Sequence, residues 1–355
     1  MAVIALVTTT RHGTSWHYFN DAAHALIRPL PTGPDGGLDL YASHPEFQFG
    51  PISIMLAAPF AFLPHPFGTI GVVGFALILG FVSILAIDDA VGHRRESIES
   101  VRYRWPFLTG AAIASASWTD IAVRTAHLDD ALALAATCVA VAAARRDRAW
   151  VTVGFLAVAA AAKPWAIVFL PLALVPAGRG RWLRPIFIGA LVAVSWLPFV
   201  IDEPATLSAT RAFKITNAAA SSLRTLGFNT AGTPDWVRPA QFALGLLAAG
   251  WAVRRRRPHA VVMAGLGVRL MLDPGVHHYY TAGLTLGVLM WELQRRPNRI
   301  PWATALTCVF LELSSSTIHP AALAGTIRLV ITATAVIAAV TLGDPQPAPA
   351  DQEPR

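Results

Sequence analysis

Five arginine clusters punctuate an otherwise apolar chain, and their spacing is the strongest constraint on what it can fold into. They stand at Arg94–Arg95, Arg145–Arg148, Arg179–Arg184, Arg254–Arg257 and Arg295–Arg299, each between apolar runs. The 355 residues are 54% hydrophobic and 14% charged, whereas soluble domains carry about 25% charged residues. A chain this apolar belongs in a bilayer. There, helices of about 20 apolar residues cross the hydrocarbon core, and Arg-rich loops stay on the cytoplasmic side. The net charge of +7 and the pI near 10.1 therefore read as membrane loop bias, and nucleic acid is not the expected partner.

With those clusters inside, the loops at 11–50, 119–128, 202–237, 273–278 and 317–320 fall outside. The expected fold is all-α, a polytopic transmembrane bundle of about 10–12 segments, some short or broken. Helices are expected at 67–88, 106–122, 128–144, 150–162, 164–176, 185–201, 238–253, 259–272, 279–293, 300–316 and 321–341. Two stretches strain the alternation. Residues 51–64 must dip in and return, or Arg94 and Arg95 would lie outside. Residues 150–176 must form two limbs broken near Lys163-Pro164, or the Arg179–Arg184 cluster would lie outside too. Broken helices at membrane depth are tolerated where they line an enclosed cavity, so both stretches mark expected cavity walls.

Residues 1–342 read as one integral membrane domain, and 343–355 as a disordered cytoplasmic tail with nothing to bury. Met1–Thr10 is apolar but shorter than a span and reads as a clipped first transmembrane helix. The Ala-rich run from Ala131 to Ala162 suits close helix packing through small side chains. Cys138 and Cys308 each sit inside an apolar run, and neither a disulfide nor a zinc site is expected.

Sorting polar residues by side gives the clearest functional signal. Asp21, His24, Asp39, His44 and Glu46 fall in the first outer loop. Asp120, Arg124, His127, Asp129 and Asp130 gather at the second outer turn, and Asp273, His277 and His278 at a later one. Lys163 stands out, because an ionised Lys near a helix centre costs roughly 2.5–3.5 kcal/mol on insertion scales and usually faces a cavity or an anion. Arg124 and Arg269 lie near outer helix ends, and Arg269 is four residues before Asp273, within reach of a helical ion pair. His277, His278 and Asp273, or His127 with Asp129, offer metal-ligand chemistry. No tight ligand spacing accompanies them, so no metal is expected. Trp16-His17-Tyr18-Phe19 and His278-Tyr279-Tyr280 could stack on sugar rings or anchor the chain at the membrane interface.

The order of these pieces resembles the polytopic C-type glycosyltransferases that use polyprenyl-phosphate sugars. It is most similar to the actinobacterial polyprenyl-phosphate-mannose-dependent α-mannosyltransferases, family 87 of the glycosyltransferases. The likeness is carried by WHYF at 16–19, DAAHAL at 21–26, LDLY at 38–41 and FGPISIMLAAPFAFLP at 49–64. Further on it is carried by AHLDDALALA at 126–135, AAKPWAIVFLPLAL at 161–174 and DPGVHHYYTAGLTLGVLMWEL at 273–293. The resemblance implies a membrane enzyme with its active face outward. It would move a sugar, mannose first among candidates, from a polyprenyl-phosphate donor to a glycolipid or glycan acceptor, without any cofactor. Its catalytic Asp would fall just before WHYF, where this chain has Ser15. Asp21 is the expected base in its place. Lys163, Arg124 and Arg269 are expected to hold the donor phosphate, and His127, Asp129, His277, His278 and Glu46 to position sugar or acceptor. The competing classes are a catalytically degenerate scaffold and a lipid-linked glycan transporter, the latter expected to show pseudo-symmetric halves.

Overall fold

A computed structural model describes residues 13–27, 36–92 and 100–343, with only the backbone for 100–103. The first apolar segment Met1–Thr10, the Arg94–Arg95 cluster and the C-terminal tail beyond Gly343 lie outside these residues. The described chain is all-helical, its one β feature an isolated antiparallel bridge between Thr216 and Gly232. The main helices are α1 (Trp16–Ile27), α2 (Pro51–Ala61), α3 (Phe67–Val91), α4 (Ser100–Thr119), α5 (Leu128–Arg145) and α6 (Ala149–Ala162). After a 3-10 segment over Pro164–Leu174 come α7 (Arg184–Asp202), α8 (Val237–Arg254), α9 (Val261–Met271), α10 (Tyr279–Arg295), α11 (Trp302–Ser316) and α12 (Ala321–Thr341).

From α3 onward the long elements alternate direction, and contacts between their termini define two ends of the bundle. At one end Asp89 pairs with Arg146, Arg145 donates to Gln294, and the Trp251 indole donates to the Val340 carbonyl at 3.1 Å. Glu292 of α10 closes the same end, its carboxylate accepting from the backbone N–H of Ala303 and Thr304 at 3.0 and 2.8 Å. Those are the otherwise unpaired first donors of α11. At the other end Ser15 N–H donates to the Thr125 carbonyl at 2.8 Å, Gly50 N–H to Ala162 at 2.8 Å, and Ala218 N–H to Pro274 at 2.9 Å. The described Arg clusters lie at the first end, and most of the acids and histidines singled out in the sequence lie at the second.

Helices α5, α9 and α10 form the core. Every residue of α5 except Val139 and Arg145 is buried, as is every residue of α9 except Met271. Small residues permit this. A Cβ at Gly287 of α10 would lie 2.7 Å from the Met263 backbone nitrogen, so the two backbones approach to near contact there. At the periphery the pattern inverts. Of the 19 residues of α7 only Arg184, Ile188 and Phe199 are buried, leaving Ile186, Val194 and Ile201 on the outside. A helix this apolar with its side chains facing outward is matched to lipid rather than water. Among the described residues three segments are long and apolar enough to cross a membrane: Phe67–Val91, Arg181–Asp202 and Ala321–Thr341. The other elements are shorter, less apolar or more buried than a free-standing span.

Both strained stretches take definite shapes. Residues 51–64 do not enter and return as two limbs. They form the single 11-residue helix α2, whose N-terminus touches Ala162 and whose Phe60 carbonyl lies against Gly68. Both termini of α2 thus stay at the acid–histidine end, which keeps the alternation in phase without a crossing. Residues 149–174 form a hairpin, α6 running up and the 3-10 segment running back, with Lys163 extended at the tip (φ −142°, ψ 115°) and Pro164 opening the return limb. Lys163 is therefore at a helix end, not near a helix centre. The two anomalies also meet: Gly50 N–H and the Ser53 hydroxyl both bond the Ala162 carbonyl, at 2.8 and 3.1 Å. A Cβ on Gly50 would overlap the Ala161 carbonyl. Gly50→Ala is thus expected to cost about 2 kcal/mol or more through forced backbone displacement, read as a lowered thermal transition of the detergent-purified protein.

Candidate functional site

The hairpin tip meets the first turn of α5, and that meeting builds the site. A π-helical turn over Asp120–Thr125 ends in Ala126 with a left-handed backbone (φ 49°), and α5 begins at Leu128. π-turns inside helical segments recur at functional positions. This one presents His127, Asp129 and Asp130 together. The two carboxylates sit in the first turn of α5, where the helix dipole favours negative charge. Asp129 is wholly buried and Asp130 is 2% exposed.

Four groups answer those acids. Lys163 Nζ pairs with Asp129 Oδ2 and lies 4.0 Å from Asp130 Oδ2. The Trp165 indole donates to Asp130 Oδ1 at 2.9 Å. His127 Nε2 stands 3.1 Å from Asp130 Oδ2 and 3.5 Å from Asp129 Oδ1. Arg269 lies over the faces of Trp165 and Tyr280, 4.5 and 4.6 Å from the ring centroids, with its Nε 3.8 Å from Asp273. Within this cluster two buried polar atoms make no hydrogen bond to a described residue: Asp130 Oδ2, whose His127 contact is in ion-pair range, and His127 Nδ1.

Aromatic rings wall this cluster. Tyr279 packs on His127 at 4.1 Å and stacks with His277 at 5.2 Å, and Phe19 meets His127 edge-on at 6.0 Å. Burial pushes the His277 imidazole down to about 4 from the usual 6.5, so it is neutral at physiological pH.

The expected site residues divide three ways. His127, Asp129, Lys163 and Arg269 converge, with His277 attached through Tyr279. Arg124 and His278 belong to a neighbouring group: Arg124 pairs with Asp120 at 3.3 Å, and His278 Nδ1 lies 2.7 Å from Glu312 Oε2. Asp21 and Glu46 join neither group. Asp21 is exposed and accepts from its neighbour Asn20, about 200° around α1 from buried Phe19, so its helix face points away from the cluster. Glu46 is exposed and bonds His44 at 3.0 Å. Tyr41 of the LDLY element is core, donating to the Phe49 carbonyl at 3.1 Å and packing on Trp196 and Phe199. Two sets of side chains have the donor atoms for a metal: Asp120, His278 and Glu312, and His127, Asp129 and Asp130. Lys163 already supplies the cation for the second.

Asp130, Trp165 and Glu312 were not singled out for roles from sequence. Glu312 carried a usable signal, an acid within the apolar run VFLELSSS, since ionisable residues in such helices default to functional candidates. Trp165 had only its place after Lys163-Pro164. The chain matches no protein-family model, no curated protein and no solved structure.

Lys163→Met strands Asp129 and is expected to destabilise the protein by about 3–5 kcal/mol. Asp129→Leu with Lys163→Met removes both charges and is expected to recover most of that loss. Thermal melts of the three proteins in one detergent test this, and a double variant no more stable than Lys163→Met refutes it. For His277, the unfolded chain binds a proton below pH about 6.5 while the folded chain resists until about 4. Stability therefore falls as pH drops through that window. His277→Gln is expected to flatten this slope in melts taken between pH 7 and 4.5.

Proposed function

We propose that the chain is a multi-pass membrane glycosyltransferase that moves a sugar from a polyprenyl-phosphate donor to a glycolipid or glycan hydroxyl at the acid–histidine end, facing outward. The observation that carries the reading is the convergence of a half-buried Lys and a buried Arg with two buried carboxylates and four aromatic rings at the tip of a broken-helix hairpin. A lipid phosphate is already a stable anion on departure, so no general acid of the kind glycosidases use is required. What the reaction needs is a base on the attacking hydroxyl and fixed positive charge around the leaving phosphate.

In this reading Lys163 and Arg269 receive the phosphate, and Trp165 and Tyr279 offer faces to a sugar ring. The base is Asp130, not Asp21. Its Oδ2 lies inside the cluster, in ion-pair range of His127 and Lys163, whereas Asp21 faces away. Arg124 is too far into the Asp120 group to join the phosphate contacts and is assigned no role. The outward orientation rests on all described Arg clusters lying at the opposite end. A lipid-linked glycan transporter is the second reading. It is favoured by one feature, that Lys163 and Asp129 satisfy each other without a substrate.

The test is transfer from labelled polyprenyl-phosphate mannose to mannoside glycolipids by the protein in liposomes. Wild type is expected to transfer, Asp130→Asn to lose at least about 100-fold in kcat, and Asp21→Ala to change less than about threefold. Loss in Asp21→Ala with Asp130→Asn active would return the base to the first loop. Vectorial movement of the donor without transfer by wild type would favour the transporter.

A further inference from the structure

The arginine end holds a second site. A cavity of about 840 Å3 opens there between α5, the 3-10 segment and α8, lined by Arg145, Arg181, Trp182, Arg254, Arg256 and His259. One acid, Asp147, shares the lining, and its carboxylate already accepts from Ala177 N–H at 2.5 Å. Setting aside Arg145, which bonds Gln294, the guanidiniums of Arg181, Arg254 and Arg256 against the one described carboxylate leave two positive charges in excess. Arg181, Arg254 and Arg256 make no ion pair with any described residue, and Arg181 instead lies over the Trp182 ring, 5.1 Å from its centroid. Like charges gathered in a concave space focus a positive potential that favours an anion among them.

The remaining walls indicate which anion. Leu174, Val175 and Val253 give the cavity an apolar side, and Trp182 stands 66% exposed at its edge. Trp105, Trp150 and Trp302, at 70%, 67% and 65% exposure, stand at the starts of α4, α6 and α11, all at this end. Exposed tryptophans at one level mark the headgroup zone of a bilayer. The distance agrees. The 18 residues of α5 run from the Asp129 cluster to Arg145, about 27 Å at 1.5 Å per residue, against a hydrocarbon core of about 30 Å.

We propose that this cavity binds the headgroup of an anionic phospholipid on the membrane face opposite the candidate active site. The guanidiniums take the phosphodiester oxygens as charge-assisted, fork-shaped donors, and the acyl chains descend along Leu174, Val253 and Trp182. The excess of two charges matches a headgroup with two phosphates better than one with a single phosphate. Free phosphate would satisfy the guanidiniums and leave the apolar wall and Trp182 unused. The inference rests on the membrane-embedded reading of the chain and is independent of sugar transfer.

The test uses the full chain in phosphatidylcholine nanodiscs doped with diphosphatidylglycerol, with bound lipid read by native mass spectrometry after release. Wild type is expected to retain one diphosphatidylglycerol at least tenfold in preference to phosphatidylcholine. R181Q/R254Q/R256Q is expected to lose that preference while keeping the wild-type thermal transition. R296Q/R299Q, which changes arginines outside the cavity, is expected to keep it. Trp182→Ala, which leaves every charge in place, is expected to weaken retention at least threefold. Equal retention of the two lipids by wild type, or undiminished retention by the triple variant, overturns the proposal. Displacement of the lipid by 10 mM inorganic phosphate also overturns it, in favour of a soluble anion. Failure of the membrane reading itself would look different: the protein would remain in solution without detergent or lipid.

Discussion

Lys163 and Asp129 are each costly to bury alone, and each is buried only because the other is there. The pair fixes the tip of the α6 hairpin against the first turn of α5. Everything else at that end depends on the join. Pro164 directs the return limb, which brings Trp165 to Asp130 and under Arg269. Ala162, the last residue of α6, receives Gly50 and Ser53 and so carries the polar first loop. A buried ion pair contributes little net stability but penalises every arrangement that separates its members. Here the penalised alternatives include a straight helix through residues 149–174.

The two ends of the bundle divide the electrostatics. Carboxylates, histidines and one Lys–Asp pair are packed with aromatic rings at one end, largely out of water. At the other end arginines stay exposed and open onto a cavity. The first arrangement holds charge in a low-dielectric setting, where interactions are strong and little screened. The second presents the exposed guanidiniums of Arg181, Arg254 and Arg256 to whatever anion occupies the interface. Helices α5 and α10 join the two ends and are themselves buried almost throughout. They suit a rigid scaffold better than a moving one.

Much of this was legible in the sequence. Apolar runs between Arg clusters gave the helices to within a few residues: 67–88 became Phe67–Val91, and 185–201 became Arg184–Asp202. The break at Lys163-Pro164 was legible because Pro disfavours helical backbone before it and removes a donor. The side on which His127 and Asp129 lie followed from counting crossings, and that parity survives although α2 meets it as one short helix. Asp21 shows the limit of such counting. Its side of the bundle was legible, but its direction was not, because a helix face is decided by what packs on it, here Phe19, Ala22 and Ala23.

The sequence by itself determined an all-helical chain matched to lipid, the alternation of its elements and the segregation of Arg from His and acid. Those properties follow from local composition and from the cost of burying charge, neither of which needs distant contacts. Only the tertiary structure decided that Asp130 rather than Asp21 faces the Lys163 cluster and that His278 pairs with Glu312 rather than Asp273. It alone decided that Arg145, Arg181, Arg254 and Arg256 share one cavity. Each of those groupings joins elements at least 30 positions apart in the chain, and close packing of small residues along α5 and α10 sets which of them meet.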